Sequence, residues 1–307
     1  MTIARSRGYD RPLYLLPFDH RHSYISEMCH FTPPLSADEH AAVTDSKQVI
    51  YEGFQAAIAA GVPRERAGIL VDEEFGAGIL RDAKAQGYAT ALSTETSGSD
   101  EFEFDYGSAF AEHIEAIAPT FAKVLVRFNP EGDAALNQRQ VARLVQLSGY
   151  CRTVGQLFMF ELLVPATKAQ LDRVHGSQPE YDLHVRPALM LDTIRILQDA
   201  GVEPDVWKIE GLDRREDCER IVVTARRDGR QDVGCIVLGR GADEHKVVTW
   251  LETAASVPGF IGFAVGRTTF WDPVADFLAK RTTREQAVSR IAARFQEWAA
   301  IFERRQS

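Results

Sequence analysis

The sequence has 307 residues, 45% of them hydrophobic and 26% charged, which is ordinary globular usage with enough apolar material for one large core. Lys and Arg number 35 against 44 Asp and Glu, a net charge of -9, so nucleic acid or an anionic membrane as the main partner is excluded, since both are bound through basic surface. The cysteines, Cys29, Cys151, Cys218 and Cys235, lie far apart without a paired C-x-x-C; neither a zinc knuckle nor a disulfide framework is indicated, and reduced thiols are expected.

No apolar run approaches the roughly 20 residues of a membrane span. The segment Met1 to Arg11 carries Arg5, Arg7 and Arg11 with no apolar stretch behind it, unlike a secretory signal. A cytoplasmic location is expected.

From end to end, short apolar runs alternate with amphipathic stretches, the pattern of repeated βα units around a parallel sheet. The first run is Leu13 to Phe18. Behind it, Ser36 and Glu39 have capping-box spacing, Val43, Ile50, Phe54 and Ile58 share a helical face, and Gly61 with Pro63 ends the helix. The next runs are Gly68 to Val71, Tyr88 to Leu92, Ala122 to Phe128 and Leu157 to Leu163. A long connection from Val164 to Asp205 follows, with a helical start near Thr167, a polar break from Gly176 to Pro179, and a second helix through Leu189, Ile194 and Leu197; connections of that length usually carry a lid or substrate loop. The last three runs are Val206 to Ile209, Cys235 to Leu238 and Phe260 to Val265. In the final helix Thr282 and Glu285 can form the cap, and Val288, Ile291, Phe295, Trp298 and Phe302 make the buried stripe.

Eight such units predict an α/β fold, a (β/α)₈ TIM barrel drawn as a single domain over residues 1–307. An open Rossmann-like sheet is the rival, but the first run ends in Pro17-Phe18-Asp19-His20 and no G-x-G-x-x-G follows it.

Barrel enzymes carry their chemistry at the C-terminal ends of the strands, so polar residues ending apolar runs are the candidates. They are Asp19, His20 and Arg21 on the first run, Asp72, Glu73 and Glu74 on the second, Lys123 and Arg127 on the fourth, Glu161 on the fifth, Lys208 and Glu210 on the sixth, Arg240 on the seventh and Arg267 on the eighth. Alternation of side chains along a strand puts Lys123, Leu125 and Arg127 on one face and Val124, Val126 and Phe128 on the other. It likewise puts Val206, Lys208 and Glu210 inside the barrel, with Trp207 and Ile209 toward the helices. An ammonium inside an apolar barrel, near the cations Lys123 and Arg127, is expected to favour the neutral amine that attacks a carbonyl. The alternative for Lys208 is a buried ion pair with Glu210 or Glu161 that only holds the barrel together. Glu161 is either a proton-transfer group or that ion-pair partner. Arg127 cannot lose its proton near neutral pH and is read as a substrate-contact or structural group. Gly239-Arg240 and Gly266-Arg267 end adjacent strands, where barrels commonly bind phosphate through backbone N–H groups and guanidinium.

The segments Leu15-Leu16-Pro17-Phe18-Asp19-His20-Arg21, Lys123-Val124-Leu125-Val126-Arg127-Phe128-Asn129-Pro130-Glu131-Gly132-Asp133, Val206-Trp207-Lys208-Ile209-Glu210-Gly211, Val237-Leu238-Gly239-Arg240-Gly241 and Gly262-Phe263-Ala264-Val265-Gly266-Arg267-Thr268-Thr269-Phe270-Trp271 together resemble the aldolase-type domain often fused to 5-dehydro-2-deoxygluconokinase in bacterial inositol catabolism. The chain is more distantly similar to class I aldolases that cleave tagatose 1,6-bisphosphate and sulfofructose phosphate. The resemblance implies a lyase that forms a Schiff base on Lys208, with Glu161 handling protons, Asp19 and Lys123 lining the site, and Gly266-Arg267 holding phosphate. It implies retro-aldol cleavage of 2-deoxy-5-keto-gluconate 6-phosphate to dihydroxyacetone phosphate and malonate semialdehyde. Gly239 and Arg240 would join the phosphate site, and His20, Arg21 or Arg127 would meet the carboxylate; no metal or organic cofactor is implied. Two positions depart from the aldolase pattern: His20 stands where those enzymes tend to have glutamine, and Gly239-Arg240 replaces a Ser-Ala pair. Both bear on the substrate's non-reacting end.

Two other classes remain alongside. A metal-dependent barrel hydrolase would use His20 and His22, an H-x-H after the first strand, with Lys123 as the bridging lysine, but its fifth and sixth strands should supply histidines where Glu161 and Lys208 stand. A non-catalytic regulator would bind a sugar phosphate through the Gly-Arg pairs alone. The expected partner is a small phosphorylated sugar, with neither nucleic acid nor membrane, and a homo-oligomer is compatible with the chain.

Overall fold

The computed structural model describes residues 8–306; Arg5 and Arg7, and the outermost ends of the domain drawn over 1–307, lie outside the described residues. Eight strands, β1 Leu13–Pro17, β2 Ala67–Val71, β3 Ala89–Ser93, β4 Phe121–Arg127, β5 Leu157–Leu163, β6 Val206–Glu210, β7 Gly234–Leu238 and β8 Phe260–Ala264, follow the expected runs to within one residue at either end. Each pairs in parallel with the next, and β1 closes on β8 with Tyr14 opposite Phe263. The fold is a (β/α)₈ TIM barrel, as the alternation of runs predicts.

The first helix, α1 (Ala37–Ala59), opens on the expected capping box: Ser36 Oγ accepts from Glu39 N, and Ser36 N donates 2.8 Å to Glu39 Oε2. The last, α11 (Arg284–Gln306), buries Ile291, Phe295, Trp298 and Phe302. Its cap falls one residue later than expected. Thr283 Oγ1 accepts from Gln286 N at 3.2 Å and Gln286 Oε1 accepts from Thr283 N at 3.1 Å, because Thr282-Thr283-Arg284-Glu285-Gln286 offers two overlapping boxes. In the β5–β6 connection, α5 (Lys168–Arg173) and α7 (Arg186–Asp199) are where the pattern puts them. The polar break between them is in part a third helix, α6 (Gln178–His184). Ser177 caps it and Pro179 sits in its first turn, where a missing N–H costs nothing.

Alternate residues of the strands serve two cores. Val124, Val126, Phe160, Trp207 and Ile209 pack outward under the helices, while Leu13, Leu15, Phe121, Met159, Val206 and Ile236 fill the barrel interior. Tyr9 seals the lower end against Phe121, ring centroids 5.0 Å apart. No helix among the described residues is long and apolar enough to cross a membrane.

Candidate active site

Two residues further along three of these strands the interior changes from apolar to charged. Phe121 gives way to Lys123 on β4, Met159 to Glu161 on β5, and Val206 to Lys208 on β6. Strand pairing fixes the juxtaposition, since Glu161 lies opposite Lys208 across β5 and β6. Asp19 enters from just beyond β1 and Glu95 from just beyond β3. Asp19, Glu95, Glu161 and Lys208 line the floor of a cleft of about 430 Å³, with Lys123 buried beneath them, and His20, Arg21, Arg127, Gly239, Arg240, Gly266 and Arg267 also line it.

The ammonium of Lys123 is fully buried and sits among three carboxylates: Asp19 Oδ2 at 2.8 Å, Glu95 Oε1 at 2.6 Å and Glu161 Oε2 at 2.8 Å. Burial opposes its charge, but the three acids overcome it and hold Lys123 protonated well above the ordinary lysine range. The second oxygen of Glu161 lies 2.8 Å from Lys208 Nζ, so one carboxylate bridges both lysines. Burial opposes the charge of Glu161, yet Lys123 and Lys208 lower its titration below the usual value. Asp19 behaves alike, burial being outweighed by Lys123 and then Lys208. Glu95 goes the other way: burial dominates the pull of Lys123, the charge of Asp19 adds to it, and the carboxyl is raised. Adjacent acids thus divide between ionised carboxylates and one more easily protonated carboxyl.

Lys208 is buried, as expected, and is paired with one of the two acids expected beside it. Its partner is the Glu161 carboxylate, and Arg127, four residues beyond Lys123, has climbed to the rim, where Nη1 donates to Ser99 O at 3.1 Å. Of the two cations expected beside it, Lys123 shares its Glu161 carboxylate and Arg127 stands at the rim.

The remaining candidates fall into groups by what occupies their charge. Arg21 is buried and committed to Asp105 and to the Glu95 carbonyl. Arg240 is bound by Asp182 of α6 and by Glu210, 3.1 Å away, so the guanidinium expected on phosphate is engaged by two carboxylates. Its backbone forms a tight turn in which Ala242 N donates to Gly239 O at 2.9 Å, with φ of 49° at Arg240 and 69° at Gly241. Arg267 is half-buried; it opens α10 (Arg267–Leu278), lies over Trp271 at 4.4 Å and reaches Glu27 at 3.2 Å. A helix start leaves its first N–H groups without helical acceptors. Gly266 just before it is required, because a Cβ there would come within 2.2 Å of Pro17 O. Thr268 Oγ1 donates 2.8 Å to Ala242 O, tying the β7 and β8 loops together.

Beside Asp19, the His20 imidazole is held neutral: burial lowers its titration to about 4, Asp19 opposes this, and Arg267 and Lys208 add to it. Its Nδ1 is buried without a hydrogen-bond partner. His22 is exposed. Among the described residues no group of three or more His, Cys, Asp or Glu is arranged to hold a metal ion. Glu73 and Glu74 open α2 (Glu73–Ala85), outside the cleft lining, and Asp72 caps that helix through Phe75 N at 2.9 Å while paired with buried Lys47.

The residue that strand-end reasoning passed over is Glu95. It stands in Ser93-Thr94-Glu95, the polar end just past the third run, Tyr88 to Leu92, where the same rule finds it.

No curated protein matches the sequence. Among solved structures, the fold is similar to fructose-bisphosphate aldolase from Plasmodium falciparum, determined in complex with TRAP and a small-molecule inhibitor. The TM-score is 0.63 at 11% identity, over 94% of this chain and 89% of that one, a likeness of fold. A family model described as an uncharacterized protein conserved in bacteria (DUF2090) matches residues 2–306, and the chain belongs to that family.

Proposed function

We propose that this barrel is a class I aldolase, a carbon–carbon lyase acting on a phosphorylated keto sugar acid through a Schiff base on Lys208. The observation that carries the reading is the buried Lys208 Nζ, 2.8 Å from a Glu161 carboxylate that also touches Lys123, at the bottom of an open cleft. A buried amine with an adjacent proton acceptor is what imine formation needs. Lys208 passes a proton to Glu161 and attacks the ketone carbon; Glu161 returns that proton to the carbinolamine hydroxyl, which leaves as water and gives a protonated iminium. Glu161 then takes the proton from the hydroxyl two carbons away, the carbon–carbon bond breaks, and its electrons enter the iminium to give an enamine and an aldehyde. Protonation of the enamine carbon and hydrolysis of the iminium release the ketone product and free Lys208. Asp19 meets the hydroxyls, and charged Lys123, its three donors committed to Asp19, Glu95 and Glu161, fixes those carboxylates around the reacting atoms.

We take the substrate to be 2-deoxy-5-keto-gluconate 6-phosphate, from the resemblance of the strand-end segments, giving dihydroxyacetone phosphate and malonate semialdehyde. Its phosphate is one carbon from the ketone. Gly266, Arg267 and the helix start behind them stand two strands from Lys208 and suit that group. Gly239 joins this wall through the β7 turn, with Arg240 as the side chain that anchors the turn to Asp182 and Glu210. The reaction calls on no cofactor, and a cytoplasmic setting suits such a substrate.

Borohydride reduction in the presence of dihydroxyacetone phosphate tests the reading. The peptide containing Lys208 gains the mass of the reduced adduct; a chain that gives no adduct with either product or substrate is not a Schiff-base aldolase.

A further inference from the structure

The cations of this cleft are not interchangeable. Lys123 is enclosed by three carboxylates, Lys208 is paired with Glu161, Arg21 with Asp105, and Arg240 with Asp182 and Glu210. Arg127 differs. Its side chain is 39% exposed, its guanidinium donates one hydrogen bond to a backbone carbonyl, and its carboxylate neighbour Asp100 is 3.8 Å away and 95% exposed, a pairing that solvent leaves weak. Most of its donors are free for a ligand.

Its position is informative too. Arg127 ends β4 and Arg267 follows β8, strands on opposite sides of an eight-stranded closed barrel. Going round the mouth from β8 the order is Arg267, the Gly239 turn, Lys208, Glu161, then Lys123 and Arg127. A chain with phosphate at Arg267 and its ketone at Lys208 presents its cleaved hydroxyl to Glu161 and its far end to Arg127. From this order, and resting on the aldolase reading above, we infer that Arg127 is the specificity residue for a carboxylate on the aldehyde fragment.

Carboxylate fits better than a second phosphate. In the adjoining loop the Ser99 hydroxyl donates to Glu101 O at 2.7 Å and is not available to a phosphate, while Ser97 Oγ accepts from His22 N at 3.0 Å. Asp100, 3.8 Å from the Arg127 guanidinium, disfavours a dianion more than a single carboxylate charge. One planar guanidinium matches one planar carboxylate in a bidentate pair. His20, neutral beside Asp19, and Arg21, already paired, do not offer that match.

The test uses the condensation direction, where the Lys208 enamine of dihydroxyacetone phosphate attacks the aldehyde carbon, the aldehyde oxygen gains a proton, and water hydrolyses the iminium. Three acceptors are compared: malonate semialdehyde, glyceraldehyde 3-phosphate and neutral propanal. In Arg127→Met, kcat/KM for malonate semialdehyde relative to propanal falls by about 10- to 100-fold, the loss expected when hydrogen bonds to a charged group are removed; Arg127→Lys, keeping charge without the fork, falls between. Borohydride trapping of dihydroxyacetone phosphate on Lys208 in each variant shows that the site is folded and reactive. An unchanged ratio in a variant that still forms the adduct overturns the assignment. A parallel loss for glyceraldehyde 3-phosphate makes the subsite one for phosphate and overturns the carboxylate specificity. Wild type without any adduct overturns the aldolase reading and this role of Arg127 with it.

Discussion

The lower and upper halves of the barrel interior are built by the same strands with the same alternation, yet they do opposite things. Below, Leu13, Leu15, Phe121, Met159, Val206 and Ile236 form an apolar plug closed by Tyr9. One step of two residues above, Lys123, Glu161 and Lys208 form a charged floor with Asp19 and Glu95. The plug keeps water from reaching the ammonium groups from beneath, so their charge is met by carboxylates at fixed distances and by whatever enters from the cleft. The comparison separates stability from chemistry: volume should matter below, and the identity of single atoms above.

The largest effect expected from breaking this division is at Lys208. Lys208→Arg keeps a cation beside Glu161 and leaves the plug intact, but a guanidinium cannot form the imine. Activity should fall on the order of 10³-fold or more, as when a covalent nucleophile is removed, while the thermal midpoint changes little. A folded variant cleaving at near wild-type rate would mean that the floor is an ion-pair network without covalent chemistry. Below the step the prediction inverts. Phe121→Ala should cost about 3–5 kcal/mol of stability through its cavity, measured by denaturant unfolding, while the protein that remains folded still forms the Lys208 adduct. Loss of adduct formation in folded Phe121→Ala would show that plug and floor are one unit.

Which parts of this division were legible in the sequence follows from period and distance. The strands, and the inward faces of β4 and β6 with Lys123 and Lys208, follow from alternation, which is local; Glu161 follows from its place as the polar residue of an apolar run. What lies across the barrel was not legible. That Glu161 would bridge two lysines, that Arg240 would be claimed by Asp182 from α6, and that Arg21 would be claimed by Asp105 depend on pairs between 38 and 84 residues apart. Glu95 was missed because its run was stopped at Leu92. Arg127 was placed on the correct face, but its height above Lys208 depends on where the side chain finds acceptors, here Ser99 O.

The rim offers a smaller test. Arg267 is half-buried, meets Glu27 across 3.2 Å and lies over Trp271, so its loss leaves no buried charge behind. Arg267→Ala should raise the KM for a phosphorylated substrate by about 10- to 100-fold, with a smaller effect on single turnover of bound substrate, because phosphate is a remote handle whose binding energy assists chemistry only in part. Unchanged affinity in steady-state and single-turnover measurements would remove phosphate from this residue.

The smallest effect concerns His20, which sits on the charged side yet is held neutral. Burial lowers its titration to about 4, with Asp19 opposing and Arg267 and Lys208 reinforcing, whereas an unfolded histidine takes its proton near the ordinary value of about 6.5. Between those two values the unfolded chain holds a proton that the folded chain refuses. Stability at this site therefore rises with pH across the window and is lost as pH falls through it, with a slope of at most about 1.4 kcal/mol per pH unit. His20→Gln keeps a neutral polar side chain and removes that titration, so its unfolding free energy should fall less than that of wild type between pH 6.5 and 4.5 in denaturant titrations. The same neutrality means that kcat/KM of wild type should show no inflection near 6.5 from this residue. Parallel stability curves for the two proteins would place a charged imidazole beside Asp19 and make the upper half of the barrel one further cation richer than its geometry implies.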